Sequence, residues 1–118
     1  MNRVHTALGP AVVLMALVGM VALLGGPVAA DNGWTIDEFP LPAANAWPQA
    51  LTVDEAGNLW FVEVGRDHVG TLATAEATPG TSNGYNGFAL TLGAWPQGIA
   101  AAADGSIWFA EFLSNALG

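Results

Sequence analysis

Trp95-Pro96-Gln97-Gly98-Ile99-Ala100, continued by Asp104-Gly105-Ser106-Ile107-Trp108-Phe109-Ala110-Glu111, is the stretch on which the architecture turns. The same series stands 48 residues earlier as Trp47-Pro48-Gln49-Ala50-Leu51 and Gly57-Asn58-Leu59-Trp60-Phe61-Val62-Glu63. No gap is needed between Trp47 and Gly70, and Gly70 answers to Gly118. Four of the five tryptophans fall on the two copies, so a chance match is excluded. A period in the forties means units that cannot bury their apolar faces alone and must stack on one another.

Each copy reads as β-structure. Leu59–Val62 and Ile107–Ala110 are short aromatic and β-branched runs, bounded by glycine before and glutamate after. They are apolar at consecutive positions, which requires cover on both sheet faces rather than one. Ala56-Gly57-Asn58 and Asp104-Gly105-Ser106 supply the tight turns that join these runs to preceding strands at Gln49–Val53 and Gly98–Ala102. A third strand fits His68–Leu72 and a fourth Phe88–Leu92, while Thr35–Phe39 reads as the last strand of an earlier unit. Four short antiparallel strands per repeat, with both faces buried, describe a propeller blade. The expected fold is therefore all-β: about two four-stranded antiparallel blades of an incomplete β-propeller, one full blade at 47–92 and the start of the next at 95–118.

Strand alternation sets which residues share an end. The Trp-Pro-Gln lead-in and the turn after Glu63 fall at one end, with the Gly57 hairpin and the Thr78–Gly87 insert at the other. Trp47, Gln49, Glu63, Arg66, Asp67, Trp95, Gln97 and Glu111 thus converge near one rim, and the ligand-face candidates are Trp47, Gln49, Glu63, Arg66, His68, Trp95, Gln97 and Glu111. Trp47 and Trp95, beside proline, could stack on a ligand. His68 could serve as a general base if a neighbour orients it, against the plainer role of a solvated strand-edge residue. Glu63 and Glu111 could line a cation or substrate site, against the plainer role of accepting hydrogen bonds from neighbouring blades. Trp60 and Trp108 read as inter-blade packing. Asp54–Asn58 reads as a turn, because the long oxygen-rich spacing of a calcium loop is missing. No Ser-His-Asp set, phosphate-cradling glycine loop or metal spacing is present, so no catalytic and no metal residue is assigned.

Charge narrows the partners. The chain holds 2 basic and 10 acidic residues and no cysteine. Residues 31–118 carry all ten acids against Arg66 alone. Nucleic-acid binding needs clustered Lys and Arg to displace counterions, so that class is excluded. Disulfides and thiol chemistry are excluded with it.

The first thirty residues read as an address. Arg3 and His5 precede an apolar run from Ala7 to Leu24, and Val28-Ala29-Ala30 places small residues at −3 and −1 of a cut after Ala30. This is a helical signal peptide over 1–30, with an uncleaved N-terminal membrane anchor as the competing reading. Either way the protein is exported, to the cell surface, periplasm or extracellular space, and touches a membrane only through an uncleaved signal.

Pro96-Gln97-Gly98-Ile99-Ala100, Asp104-Gly105, the Trp108-Phe109-Ala110-Glu111 strand, and the divergent copy ending in Val69-Gly70 resemble the streptogramin B lyase (virginiamycin B lyase) family. The resemblance spans nearly all of 36–118 and is specific for the repeat, less so for the reaction. It implies a seven-bladed propeller that opens a cyclic depsipeptide antibiotic by eliminating across its ester bond with Mg²⁺ assistance. The family's acid–base histidines lie in later blades, and no residue here matches them. Two readings follow. In the first, the chain is the N-terminal fragment of an exported streptogramin-lyase-like propeller, inactive and without cofactor by itself, whose partners are the remaining blades. The alternative is a non-catalytic extracytoplasmic propeller that binds a small-molecule or peptide ligand or acts as a scaffold. Fewer than two blades cannot close a ring, so either a longer product or an assembly of copies is expected.

Overall fold

The structure is a computed structural model that describes residues 28–29 and 33–118. Apart from Val28–Ala29, the expected leader helix lies outside the described residues. The described chain divides into two units. In the first, made of residues up to Pro40 with Thr78–Ser82, β1 (Val28–Ala29) pairs antiparallel with β2 (Thr35–Ile36). The strand expected over Thr35–Phe39 is therefore only two residues long, because its partner β1 pairs with Thr35 and Ile36 alone. Within the same unit the Gly80 N–H donates to the Glu38 carbonyl at 2.8 Å.

The second unit holds the repeat. A four-stranded sheet runs in the order β3 (Pro48–Val53), β4 (Leu59–Glu63), β5 (His68–Leu72), β6 (Tyr85–Ala89), and a three-stranded sheet in the order β7 (Pro96–Ala101), β8 (Ile107–Glu111), β9 (Ala116–Leu117). Every pairing is antiparallel. A single 3-10 turn, Val64–Arg66, joins β4 to β5.

The 48-residue period is written in the backbone as well as in the side chains. Trp47 and Trp95 both sit in the left-handed region (φ 49° and 52°), as do Asp67 and Asn115 (φ 53° and 52°). Both lead strands carry an irregularity at the same place, between Pro48 and Leu51 and between Pro96 and Ile99. The hairpins close alike: Gly57 N–H to the Asp54 carbonyl and Gly105 N–H to the Ala102 carbonyl, both at 3.0 Å.

The fourth strand departs from expectation. It runs Tyr85–Ala89, three residues earlier than Phe88–Leu92. Gly84 (φ 82°) turns the chain, its carbonyl taking the Ala73 N–H at 2.8 Å, so the ladder starts at once with Tyr85 opposite Leu72. It stops when the Leu90 N–H turns to the Asp67 carbonyl at 2.8 Å. The apolar run at Phe88–Leu92 marked hydrophobicity, whereas the hydrogen-bonding turns set the ends.

Register assigns the faces, because directly paired residues point to the same side and neighbours alternate. In the first sheet Thr52, Trp60, Val62, Val69 and Phe88 share one face, and Leu51, Phe61, Glu63 and Tyr85 the other. The lead strand of the second sheet, β7, packs against β3 and β4, and the Ala101 N–H donates to Thr52 Oγ1 at 3.3 Å. Val62, Val69, Ala94 and Pro96 are buried between them. Two stacked, twofold-repeated antiparallel sheets make this the β-propeller architecture expected. The two indoles expected to pack between blades differ in their surroundings. Trp60 stacks on Phe88 of its own sheet (5.9 Å between centroids, 15° between planes), whereas Trp108 is 54% exposed. Trp60 is covered because β6 brings Phe88 over it, and among the described residues no strand lies beyond β9.

Candidate functional site

The strand-end rim is built by backbone before side chains. The Val64 N–H donates to the Trp47 carbonyl (3.3 Å) and Gly65 N–H to the Ala46 carbonyl (3.0 Å), which brings the Trp-Pro-Gln lead-in against the turn after Glu63. The second repeat does the same with Phe112 to Trp95 and Leu113 to Ala94, each at 3.2 Å. The left-handed backbone at Trp47 and Trp95 is costly for a bulky residue, on the order of 1–3 kcal/mol, and is sustained by these paired bonds. It turns the indoles outward, and both are exposed. Trp47 rests over Gly65, where an added Cβ would lie 2.9 Å from the ring, so glycine is required there.

Asp67 ties the two repeats together. Its carboxylate accepts from the Gly93 N–H at 2.7 Å and the Trp95 N–H at 2.8 Å, while its own backbone adopts the left-handed conformation.

Glu63 sits behind the rim rather than on it. Its side chain is 0% exposed, taking the Tyr85 hydroxyl on Oε1 at 2.7 Å and the Arg66 guanidinium on Oε2 at 3.1 Å. Arg66 also reaches the Tyr85 oxygen at 3.4 Å. Burial, with the nearby Glu63 carboxylate accepting its proton, holds the Tyr85 phenol above its ordinary pKa. The partners of Glu63 are thus side chains of its own sheet, not the backbone of a neighbouring blade. In sequence Tyr85 falls within a turn-rich insert, and its signal there is the Tyr-x-Gly pattern, since a Cβ on Gly87 would collide with the phenol oxygen.

The remaining candidates are dispersed. His68 Nδ1 lies 2.6 Å from the Arg66 carbonyl, which can only accept, so Nδ1 carries a proton. Among the described residues no carboxylate orients it. Gln49 and Gln97 are exposed on β3 and β7, and Glu111 is half-buried at the end of β8. Asp54 instead serves the opposite end: it accepts from the Trp60 indole N–H (2.9 Å) and from the Asn58 backbone N–H (2.8 Å), which lower its pKa. Asp104 is lowered in turn by the Ser106 hydroxyl and N–H, and the same hydroxyl takes the Trp108 indole N–H at 2.9 Å. This assembly offers two outward indoles and amide side chains for stacking and hydrogen bonding, without a paired acid and base. Among the described residues no three His, Asp or Glu side chains gather as a cation site, and Glu63 is already neutralised by Arg66. The residues present therefore do not fit the Mg²⁺ that the sequence resemblance implies.

No family model and no curated protein sequence matches the chain. Solved structures do match. A streptogramin B lyase aligns at TM-score 0.62 with 25% identity over 78% of this chain and 28% of its own. The fold is that of a streptogramin-lyase-like propeller. Virginiamycin B lyase from Staphylococcus aureus aligns over 78% of this chain and 29% of its own at TM-score 0.61 and 24% identity, and a catalytically inactive form of that enzyme with quinupristin over the same shares at 0.60 and 22%. The propeller chain spans under a third of the length of each.

Proposed function

We propose that this chain is the N-terminal part of an exported streptogramin-lyase-like propeller and has no lyase turnover by itself. One observation carries the reading: the three strands of the second sheet repeat the first three of the first sheet in order and pairing, yet expose what those bury. Val69 is 4% exposed and its counterpart Leu117 75%; Val64 is 3% exposed and its counterpart Phe112 65%. A soluble sheet does not stably present such a face to water, so further blades of the same kind cover it. In that ring the outward Trp47 and Trp95, with Gln49, Gln97 and His68, line the strand-end rim available to a ligand, while acid–base groups come from blades outside these residues. The leader supports export. A non-catalytic extracytoplasmic binding propeller is favoured by one observation alone, the absence of a paired acid and base at this rim.

The test is turnover. The chain incubated with a cyclic streptogramin B and Mg²⁺ leaves the ester intact, as followed by mass spectrometry of the opened product. A longer product of the same gene opens it under the first reading and only binds it under the second. Ester opening by the 118-residue chain refutes the proposal.

A further inference from the structure

The two sheets differ at one edge. In the first, β6 lies along β5, and its contacts include Tyr85 to Glu63, Phe88 onto Trp60, and backbone pairing with Phe88 opposite Val69. In the second, the counterparts of Glu63, Trp60 and Val69 are Glu111, Trp108 and Leu117. Glu111, Phe112, Asn115, Ala116 and Leu117 border an open hollow of about 320 Å³ at the place that corresponds to β6 and the loop after it.

The edge of β9 is competent to pair. The Phe109 and Gly118 backbones exchange both hydrogen bonds at 3.0 Å, so by antiparallel alternation the N–H and C=O of Leu117 point away from β8 toward the free edge. A strand laid there in the register of β6 sets a residue opposite Leu117 whose side chain falls on the Trp108 face. The residue three positions earlier falls on the Glu111 face. A glycine is needed between them, two positions after the Glu111-facing residue, because a side chain there would strike the phenol, as at Gly87. One difference sharpens the chemistry: Ser114 stands where the first sheet has Arg66, so Glu111 has no guanidinium from its own turn and depends on the incoming strand for a donor.

We propose that the β9 edge, Glu111 and Trp108 form an acceptor site for one extended strand of the pattern Tyr-x-Gly-Phe, its phenol donating to Glu111 and its Phe stacking on Trp108. The site rests on the propeller reading above and names the segment that completes the second sheet.

The probe is a synthetic peptide with the sequence of Asn83–Leu92, added to the full chain while the Trp108 indole N–H is followed by NMR, assigned through Trp108→Phe. The peptide shifts that resonance saturably and a scrambled peptide does not. Replacing the peptide's tyrosine by phenylalanine weakens binding roughly tenfold against the native chain, the value of a hydrogen bond to a charged group, and changes nothing against Glu111→Ala. Because free peptide pays an ordering cost, a second form appends a copy of residues 73–89 after Gly118. The appended chain melts at a higher temperature than the same chain with the copied tyrosine and phenylalanine both replaced by alanine. Equal melting of the two appended forms, or equal binding of native and scrambled peptides, overturns the proposal. Absence of the Trp60–Phe88 contact in the free chain overturns the propeller reading instead, and this site with it. Streptogramin opening by the chain would refute the proposed function while leaving the acceptor site standing.

Discussion

The Asp67 carboxylate accepts the backbone N–H of Trp95 at 2.8 Å, so a residue at the head of β5 fixes the left-handed residue from which the next sheet begins. With Gly93 on its other oxygen, this side chain specifies how one repeat hands over to the next.

Asp67→Ala leaves two N–H groups without their acceptor and places alanine at φ 53°. Loss of about 1–3 kcal/mol of unfolding free energy is expected, read from urea melts by circular dichroism. Asp67→Asn, which tolerates the left-handed backbone and keeps one acceptor oxygen, loses less.

The buried Glu63 cluster responds to truncation from either side. Tyr85→Phe removes a single donor and costs about 1–2 kcal/mol. Glu63→Ala strands both the phenol and the guanidinium and costs about 3 kcal/mol. The double variant falls short of the sum, because the two share one hydrogen bond.

Gly70→Ala puts a Cβ 2.7 Å from Glu63 Oε1 and into the Phe61 ring, two buried side chains that must shift to make room. A loss of about 2–3 kcal/mol is expected, against about 1 kcal/mol for Gly57→Asn, where free space surrounds the new side chain and only the backbone strain at φ 85° remains.

Much of this was legible in the sequence. The Trp-Pro-Gln and Trp-Phe-x-Glu pairs carry the period, and the period carries the stacked sheets. The strand expected over His68–Leu72 has those bounds in the fold, with Gly70 in its middle. The start of β6 was not legible, since Tyr85 is placed by the turn at Gly84 and by a carboxylate 22 residues away, neither of which hydrophobic patterning can report. For the same reason Glu63 reads as a rim residue in sequence and is a buried acceptor in the fold. The rim's outward tryptophans were legible as positions, but their left-handed backbone is a property of paired loops, not of local sequence.

Stability follows pH from both sides. Asp54 and Asp104 are held below the ordinary carboxylate value, so their contribution is present above it and is lost as pH falls through their lower folded values. Tyr85 is held above the ordinary phenol value, so its contribution is present below pH 10 and is lost as pH rises past it. The Trp60 indole N–H resonance should therefore move on acidification below pH 4, while the Tyr85 contact breaks only in strong alkali.

The most direct trial of two stacked, unequal repeats is amide hydrogen exchange at single-residue resolution. Slow exchange is expected throughout Leu59–Glu63 and His68–Leu72, intermediate exchange in Ile107–Glu111, and fast exchange at Leu117, whose N–H faces the open edge. Uniform protection of both sheets up to Leu117, or none in Leu59–Glu63, would contradict it.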